Sequence, residues 1–379
     1  MPGLQKAGRF DIADIVRAHR AALESSYTLS SKQRRVLSDI ESCRTAALGG
    51  HIDRCLQCGH ERPAYNSCRN RHCPKCQALA QEKWIAAQEA RTLDVQHFHV
   101  VFTLPKELRS LARFAARVVY DALFYAASRT LLEFGESRRA TIGATLVLHT
   151  WARDLGFHPH VHAIVTGGGL SLDGLRWIAA PRAFLFPVHA MARVFRGKMI
   201  DGLRSAYDRG CFAGFDDFYD AEAFDRLARE IAKFRWNVYA KPSFSKGRHV
   251  LHYLGRYTHR VGLSSSRLLA VDESEITFRT KGTGTATMSP VEFLRRFVQH
   301  VLPDGFHKIR HIGLNASDDK RAKVRSLLRL VAPVVRSISW DQHLFELTGR
   351  DPTRCPHCGG ALVSTILPRT RDPTLALAA

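Results

Sequence analysis

His158-Pro159-His160-Val161-His162-Ala163-Ile164-Val165-Thr166-Gly167-Gly168-Gly169 is the stretch on which the reading of this chain turns. Histidines at alternate positions run into β-branched residues, which is the pattern of a strand. A period of two puts His160 and His162 on one face and Val161 on the other. Two imidazoles on one strand face make a clamp for a divalent metal, with open positions left for substrate. The bland alternative is a histidine-rich turn without chemistry. The triple glycine is expected to end the strand and to let another backbone, or a phosphate, come close.

Working outward, Thr145–Trp151 reads as the preceding strand, and Asp154-Leu155-Gly156 as the turn of a hairpin that joins it to the histidines. In such a hairpin His149 can face the same side as His160 and His162. It is the first candidate for a third ligand, and His158 the second. A further strand, Phe98–Leu104, ends at Pro105. Its own pair, His97-Phe98-His99, is read as a strand-start feature rather than a metal site. Leu108, Leu111, Phe114, Val118, Val119, Leu123 and Leu131 mark a long amphipathic helix that Gly135 is expected to stop. Strand, helix and antiparallel hairpin together give an α+β fold with helices on one face of the sheet. Helices are expected around 188–208 and 221–234, followed by a strand, Trp236–Pro242, with a basic exit at Lys241.

Of the 379 residues, 56 are Lys or Arg and 35 Asp or Glu, a formal net charge of +21. An excess of that size points to a polyanionic partner, nucleic acid in the first place. There is no apolar run of 18 residues, and Met1–Arg20 lacks the apolar region of a signal peptide. The chain is therefore expected in the cytoplasm, where nine cysteines are better read as ligands than as disulfides.

Cys55-x2-Cys58 and Cys73-x2-Cys76 are two knuckles of a zinc signature. The expected pairing puts these four thiolates on one Zn2+ and Cys43, His51, Cys68 and His72 on a second. Spacing does not fix that connectivity. Arg54, Arg62, Arg69, Arg71 and Lys75 thread positive charge through the module, and Arg69, Arg71 and Lys75 are taken as nucleic-acid contacts. Two helices precede it, over 11–25 and from a cap at Ser30 or Ser31. One with Trp84 and Ile85 follows, to about residue 94.

A second stretch carries chemistry: Tyr253-Leu254-Gly255-Arg256-Tyr257-Thr258-His259-Arg260. On a helix, tyrosines four apart share a face. Such pairs usually pack a core, but Arg256 and Arg260 suit a surface that meets phosphate. Tyrosine can be a nucleophile, and a metal that polarises a phosphate oxygen supplies the help its high pKa demands.

Towards the end, Leu268–Val271 and Glu275–Arg279 read as a hairpin, and Lys281-Gly282-Thr283-Gly284-Thr285 as a turn that lacks the P-loop pattern. A helix is expected from Pro290 to Val301 and a basic amphipathic one over 320–336. Cys355-Pro356-His357-Cys358 is half of a zinc ribbon with no second half after it. It can borrow ligands from elsewhere, share metal in a dimer, or be a vestige. Residues 368–379 are expected to be disordered.

Taken in order, these motifs resemble the HUH superfamily of single-strand endonucleases. Within it, the chain is similar to the rolling-circle insertion-sequence transposases that carry an N-terminal zinc-binding domain. The matching text includes Cys43–His51, Tyr65–Cys76, Phe102–Pro105, His149–Trp151, His158–His162, Tyr239–Pro242, Tyr253–Val261, Glu292–Phe297 and Gly305–His311. The resemblance implies an HUH-type antiparallel sheet as catalytic core, behind a small zinc-binding helical module. It implies that His160 and His162 hold Mg2+ or Mn2+, and that Tyr253, Tyr257 or both attack single-stranded DNA at mobile-element ends, often hairpins. The products are a 5′-phosphotyrosine and a free 3′-hydroxyl. Host helicase or replication factors would separate strands, and a bacterial protein of this kind would sit on the nucleoid when bound. The expected division is 1–95 (helices and zinc module), 96–267 (catalytic domain with a helical insertion over about 173–234), 268–345 (basic α/β region) and 346–379 (CxxC tail). Replication initiators or relaxases of the same chemistry, and a non-catalytic zinc-dependent DNA-binding protein, are the competing expectations.

Overall fold

A computed structural model describes residues 10–181, 185–218, 220, 222–241, 255, 263–331, 334 and 337–369. The elements follow the sequence pattern closely. Helices α1 (Ile12–Ser26) and α2 (Ser31–Ser42) open the chain. Ser30 caps α2 in a reciprocal capping box with Gln33. A hairpin of β1 (Gly50–Cys55) and β2 (Glu61–Tyr65) follows, then α3 (Ala78–Arg91) and β3 (His97–Thr103).

Next come α4 (Arg109–Phe114) and α5 (Ala116–Glu136), the expected long helix broken at Ala115, whose φ and ψ of −116° and 53° are not helical. Gly135 does not stop α5. It is buried inside the last turn, where a Cβ would stand 2.9 Å from the Ala140 carbonyl oxygen.

Strands β4 (Ala140–Trp151), β5 (Phe157–Ser171) and β6 (Trp177–Ala179) precede α6 (Val188–Asp208), α7 (Ala223–Lys233) and β7 (Val238–Lys241). The C-terminal part holds β8 (Leu268–Val271), β9 (Ile276–Arg279), β10 (Thr285–Met288) and α8 (Pro290–Val298). After them come β11 (Ile309–Gly313), α9 (Asp318–Leu328), α10 (Trp340–Thr348) and β12 (Leu362–Leu367). The basic helix is shorter than expected: it ends at Leu328, where Arg329 turns left-handed at φ 51° and its N–H caps the carbonyls of Arg325 and Ser326. Among the described residues no helix is long and apolar enough to cross a membrane.

The central sheet has the order β11-β4-β5-β3-β7, with β6 on the far end of β5, and every pairing is antiparallel. Fold class is thus α+β, as the pattern required. Side chains of one face, among them Phe98, Val100 and Phe102 of β3 and Leu146, Leu148, Val161 and Ala163 of the hairpin, pack under Leu123, Phe124, Ala127 and Leu131 of α5. Phe195, Met199 and Leu203 of α6 extend that core. The helices therefore cover one face and leave the histidine face to other partners.

The triple glycine does not end β5. The strand runs through it to Ser171 because β4 and β6 press close on either side. A Cβ on Gly169 would stand 2.6 Å from the Thr141 carbonyl oxygen, and one on Gly168 2.7 Å from that of Ile178. Here the glycines admit neighbouring backbones.

A second core joins distant parts of the chain. Ile12, Ile15 and Val16 of α1 and Val36, Leu37 and Ile40 of α2 pack with Ile276 and Phe278 of β9 and Phe293, Leu294 and Phe297 of α8. Residues 268–298 thus share a core with the N-terminal helices, while β11 completes the central sheet beside β4. Strand β12 returns to pair with β1, so the sheet of the N-terminal hairpin reads β12-β1-β2.

Candidate metal centre and its cavity

The hairpin register builds the site. His149 lies directly across from His160, and His162 across from Val147, so His149, His160 and His162 share the face away from the helices. Their ligand nitrogens all lie within 4.8 Å of one another. His160 Nε2 and His162 Nε2 are 3.1 Å apart. Burial pushes the His149 and His162 imidazoles well below their ordinary pKa, and that of His160 down to about 4. All three are neutral near pH 7, the form that binds metal.

The second nitrogens are committed. His160 Nδ1 sits 2.7 Å from the His158 carbonyl oxygen and therefore donates, which leaves a lone pair on Nε2. His162 Nδ1 lies 2.8 Å from His99 Nε2. His97 and His99, read as a strand-start feature rather than a metal site, both lie outside the ligand cluster. His97 Nδ1 ties back to the Val95 carbonyl (2.8 Å), but His99 reaches across to His162. Nothing in the local sequence signalled this, because it depends on β3 pairing with β5. His158, the second candidate for a third ligand, stays outside the cluster and accepts through Nδ1 from Arg109 Nη2 (2.9 Å). A β-bulge between the His149 and Trp151 pairings takes it out of register.

The site opens into a cavity of about 590 Å3 lined by His149, His158, His160 and His162. Arg153, Arg267 and the turn Thr280-Lys281-Gly282 between β9 and β10 line the same cavity. Thr280 N–H donates to the Gly284 carbonyl (2.7 Å), which closes that turn. Arg267 braces it, donating to the carbonyls of Arg279 (2.7 Å) and Arg153 (2.8 Å). Trp151 stacks on His149 with ring centroids 5.0 Å apart.

The tyrosine stretch lies outside the described residues except at Gly255; Tyr253, Tyr257, Arg256 and Arg260 are among those not described. Gly255 is helical and buried, and a Cβ there would stand 2.5 Å from Ile85 Cδ1 of α3.

The cysteines group differently from the expected pairing. Cys43, Cys68, Cys73 and Cys76 form one cluster, and Cys55, Cys58, Cys355 and Cys358 the other. The reason is the length of β1: six residues carry the Cys55 knuckle about 17 Å along the hairpin. Strand β2 then brings Cys68 back to the end where Cys43 caps α2, so the two N-terminal knuckles face opposite ends. Neither histidine joins a cluster. His51 Nε2 approaches Asp53 (3.4 Å), and buried His72 accepts at Nε2 from the Leu302 N–H (3.1 Å).

Two of the expected nucleic-acid contacts are used internally: Arg71 donates to the Phe306 carbonyl (2.9 Å), and Lys75 pairs with Asp11. Arg69 and Lys241 are exposed.

Comparison with known proteins agrees with this architecture. The family described as "Putative transposase" matches residues 143–323, and that described as "Transposase zinc-binding domain" matches 15–104. The "Putative transposase y4qJ" of Sinorhizobium fredii is 42% identical over 376 residues, 94% of each chain. The transposase for insertion sequence element IS801 of Pseudomonas savastanoi pv. phaseolicola is 29% identical over 349 residues, 86% of this chain and 81% of that one. No solved structure matches the chain significantly. With zinc-binding module, antiparallel sheet and histidine hairpin in that order, the chain belongs to the IS91-type rolling-circle transposases, DNA-acting enzymes with an N-terminal zinc-binding domain.

Proposed function

We propose that this transposase cuts and rejoins single-stranded DNA at the ends of its element through a 5′-phosphotyrosine intermediate, using a divalent metal held by His149, His160 and His162. The observation that carries the reading is the convergence of three neutral imidazoles, each from a register-locked strand position, on one cavity that Arg153, Arg267 and Lys281 also line. Their donor chemistry fits a divalent transition ion. An all-imidazole set suits Mn2+ better than Mg2+, which prefers oxygen ligands. When bound, such an ion supplies charge stabilisation at a non-bridging phosphate oxygen.

The chain's own groups do the rest. Lys281, Arg153 and the turn's backbone hold the sugar–phosphate strand against the histidine wall, and Trp151 offers an aromatic face beside it for a base. A tyrosine oxygen, from Tyr253 or Tyr257, forms a bond to phosphorus as the bond to the 3′ oxygen breaks. The phenolic proton is balanced by the proton the departing 3′-hydroxyl gains. The downstream strand stays on the protein through its 5′-phosphate, and the 3′-hydroxyl is free to attack that linkage or another. With two tyrosines, one can hold a strand while the other cuts again. Hairpin-containing ends and host strand-separating factors belong to this reading.

The test is covalent capture. Labelled single-stranded DNA from the element's ends is mixed with the protein and Mn2+, or with chelator, and run on a denaturing gel. A metal-dependent protein–DNA band that retains the downstream strand, and is lost in Tyr253→Phe/Tyr257→Phe, supports the mechanism. Undiminished capture by the double variant refutes the tyrosines. Tight binding without capture on any end sequence leaves a DNA-binding protein only.

A further inference from the structure

The two halves of a zinc ribbon lie at opposite ends of this chain. Cys55-Leu56-Gln57-Cys58-Gly59-His60 and Cys355-Pro356-His357-Cys358-Gly359-Gly360 fold into matching knuckles. In the first, the Gly59 N–H donates to the Cys55 carbonyl (3.1 Å) and the Cys55 N–H to the His60 carbonyl (2.9 Å). In the second, the Gly359 N–H returns to Cys355 (2.9 Å) and the Cys355 N–H meets Gly360 (2.9 Å). Both turns need a left-handed glycine, with φ of 70° at Gly59 and 74° at Gly359.

The knuckles face each other. Cys55 Sγ lies 3.4 Å from Cys358 Sγ, and Cys58 Sγ 3.6 Å from Cys355 Sγ. All four sulfurs fall within 4.8 Å of one another. Around a tetrahedral ion with Zn–S bonds of about 2.3 Å, sulfurs stand about 3.8 Å apart, so the four are placed to close on one ion. A Cβ on Gly360 would stand 3.1 Å from Cys55 Sγ, so the backbone comes as near the sulfur as glycine permits.

We propose that Cys55, Cys58, Cys355 and Cys358 form a structural Zn2+ site separate from that of Cys43, Cys68, Cys73 and Cys76, and that it fastens the C-terminal strand to the N-terminal module. The zinc-binding family match stops at residue 104, so two of these ligands lie far outside it. Each thiol gives up its proton to solvent as the sulfur binds the ion. The site closes a loop of about 300 residues, the case in which a metal clip constrains the unfolded chain most. Independent contacts hold the same geometry: β12 pairs with β1 from Cys55↔Leu362 to Gly50↔Leu367. Buried Asp53 on β1 accepts from Ser364 Oγ (2.6 Å) on β12, and Arg62 on β2 donates to the Pro352 carbonyl (3.1 Å). This inference does not depend on the proposed cleavage chemistry.

The test uses the full chain, purified under reducing conditions with zinc present and the metal measured by plasma mass spectrometry. The wild type is expected to hold one zinc ion more than Cys355→Ser/Cys358→Ser, since the Cys43 cluster and the histidine centre load equally in both. Equal zinc in both overturns the proposal. Should the double variant fail to fold, alkylation mapping of the wild type decides. Exposed Cys211 belongs to neither cluster and labels at once, an internal control. Cys355 and Cys358 are expected to be protected together with Cys55 and Cys58, and chelator to expose all four together. Labelling of Cys355 and Cys358 at the Cys211 rate despite zinc, or a disulfide among the four in zinc-loaded protein, overturns the site.

Discussion

His99→Phe is the substitution that most directly tests how the histidine centre is held. Phe keeps the ring and the packing against His162, where the two imidazoles stack with centroids 5.0 Å apart, but removes the nitrogen 2.8 Å from His162 Nδ1. For His162 to offer Nε2 to a metal, its proton must sit on Nδ1, and His99 Nε2 accepts it. Without that acceptor a buried N–H loses its partner, a cost of about 1–3 kcal/mol. Alternatively the proton moves to Nε2 and blocks the ligand lone pair. Either route charges the cost to the metal-binding tautomer, so Mn2+ affinity is expected to fall about 10- to 100-fold, the usual range for an outer-shell partner. Calorimetric titration with Mn2+ reads the affinity directly, and strand capture against Mn2+ concentration reads its consequence. Capture is expected to recover at saturating metal, because no reacting group is lost. His99→Gln, which keeps an acceptor, is expected to fall between. A folded His99→Phe protein with wild-type Mn2+ affinity would refute the argument.

Three further outcomes are expected. Lys281→Ala removes one charge from the cavity wall, so single-stranded DNA affinity should fall and the slope of log affinity against log salt should flatten by about 0.7; an unchanged slope takes the turn out of the DNA path. Gly255→Ala drives a methyl into Ile85, so strand capture should fall while DNA binding persists. Ile85→Ala in the same chain should restore capture, and failure to do so would mean the glycine matters for another reason. Glu292→Gln concerns stability. Hydrogen bonds from Arg295, outweighing partial burial, and then from Arg296 hold this carboxyl down at about 2 against an ordinary 4.5. A depressed folded pKa means the stabilisation is complete above about 4.5 and is lost as pH falls towards 2. Denaturant melts should therefore separate wild type from variant most at pH 6, with the gap narrowing at pH 3 and closing only as pH falls towards 2; a constant gap would contradict the assignment.

The sequence by itself determined the elements that surround the histidines. Alternation placed His160 and His162 on one strand face, and a turn of Asp154-Leu155-Gly156 implied the hairpin that brings His149 opposite His160. These are local rules: a period of two, a turn, a cap at Ser30. Tertiary structure decided every question of partnership between distant segments. Knuckle spacing could not say that Cys55 and Cys58 pair with Cys355 and Cys358, because that follows from how far β1 carries a turn and from β12 folding back beside it. Nor could it show that His99 orients His162, which requires β3 to lie beside β5. The Lys281 turn, without any phosphate-loop pattern, gains its meaning only from lining the same cavity as the histidines. Arg71 and Lys75 go the other way: their charge suggested DNA, and folding spent it on a carbonyl and on Asp11. Local pattern is written in neighbouring residues, whereas a long-range contact is fixed by the lengths and registers of everything between, which no single motif records.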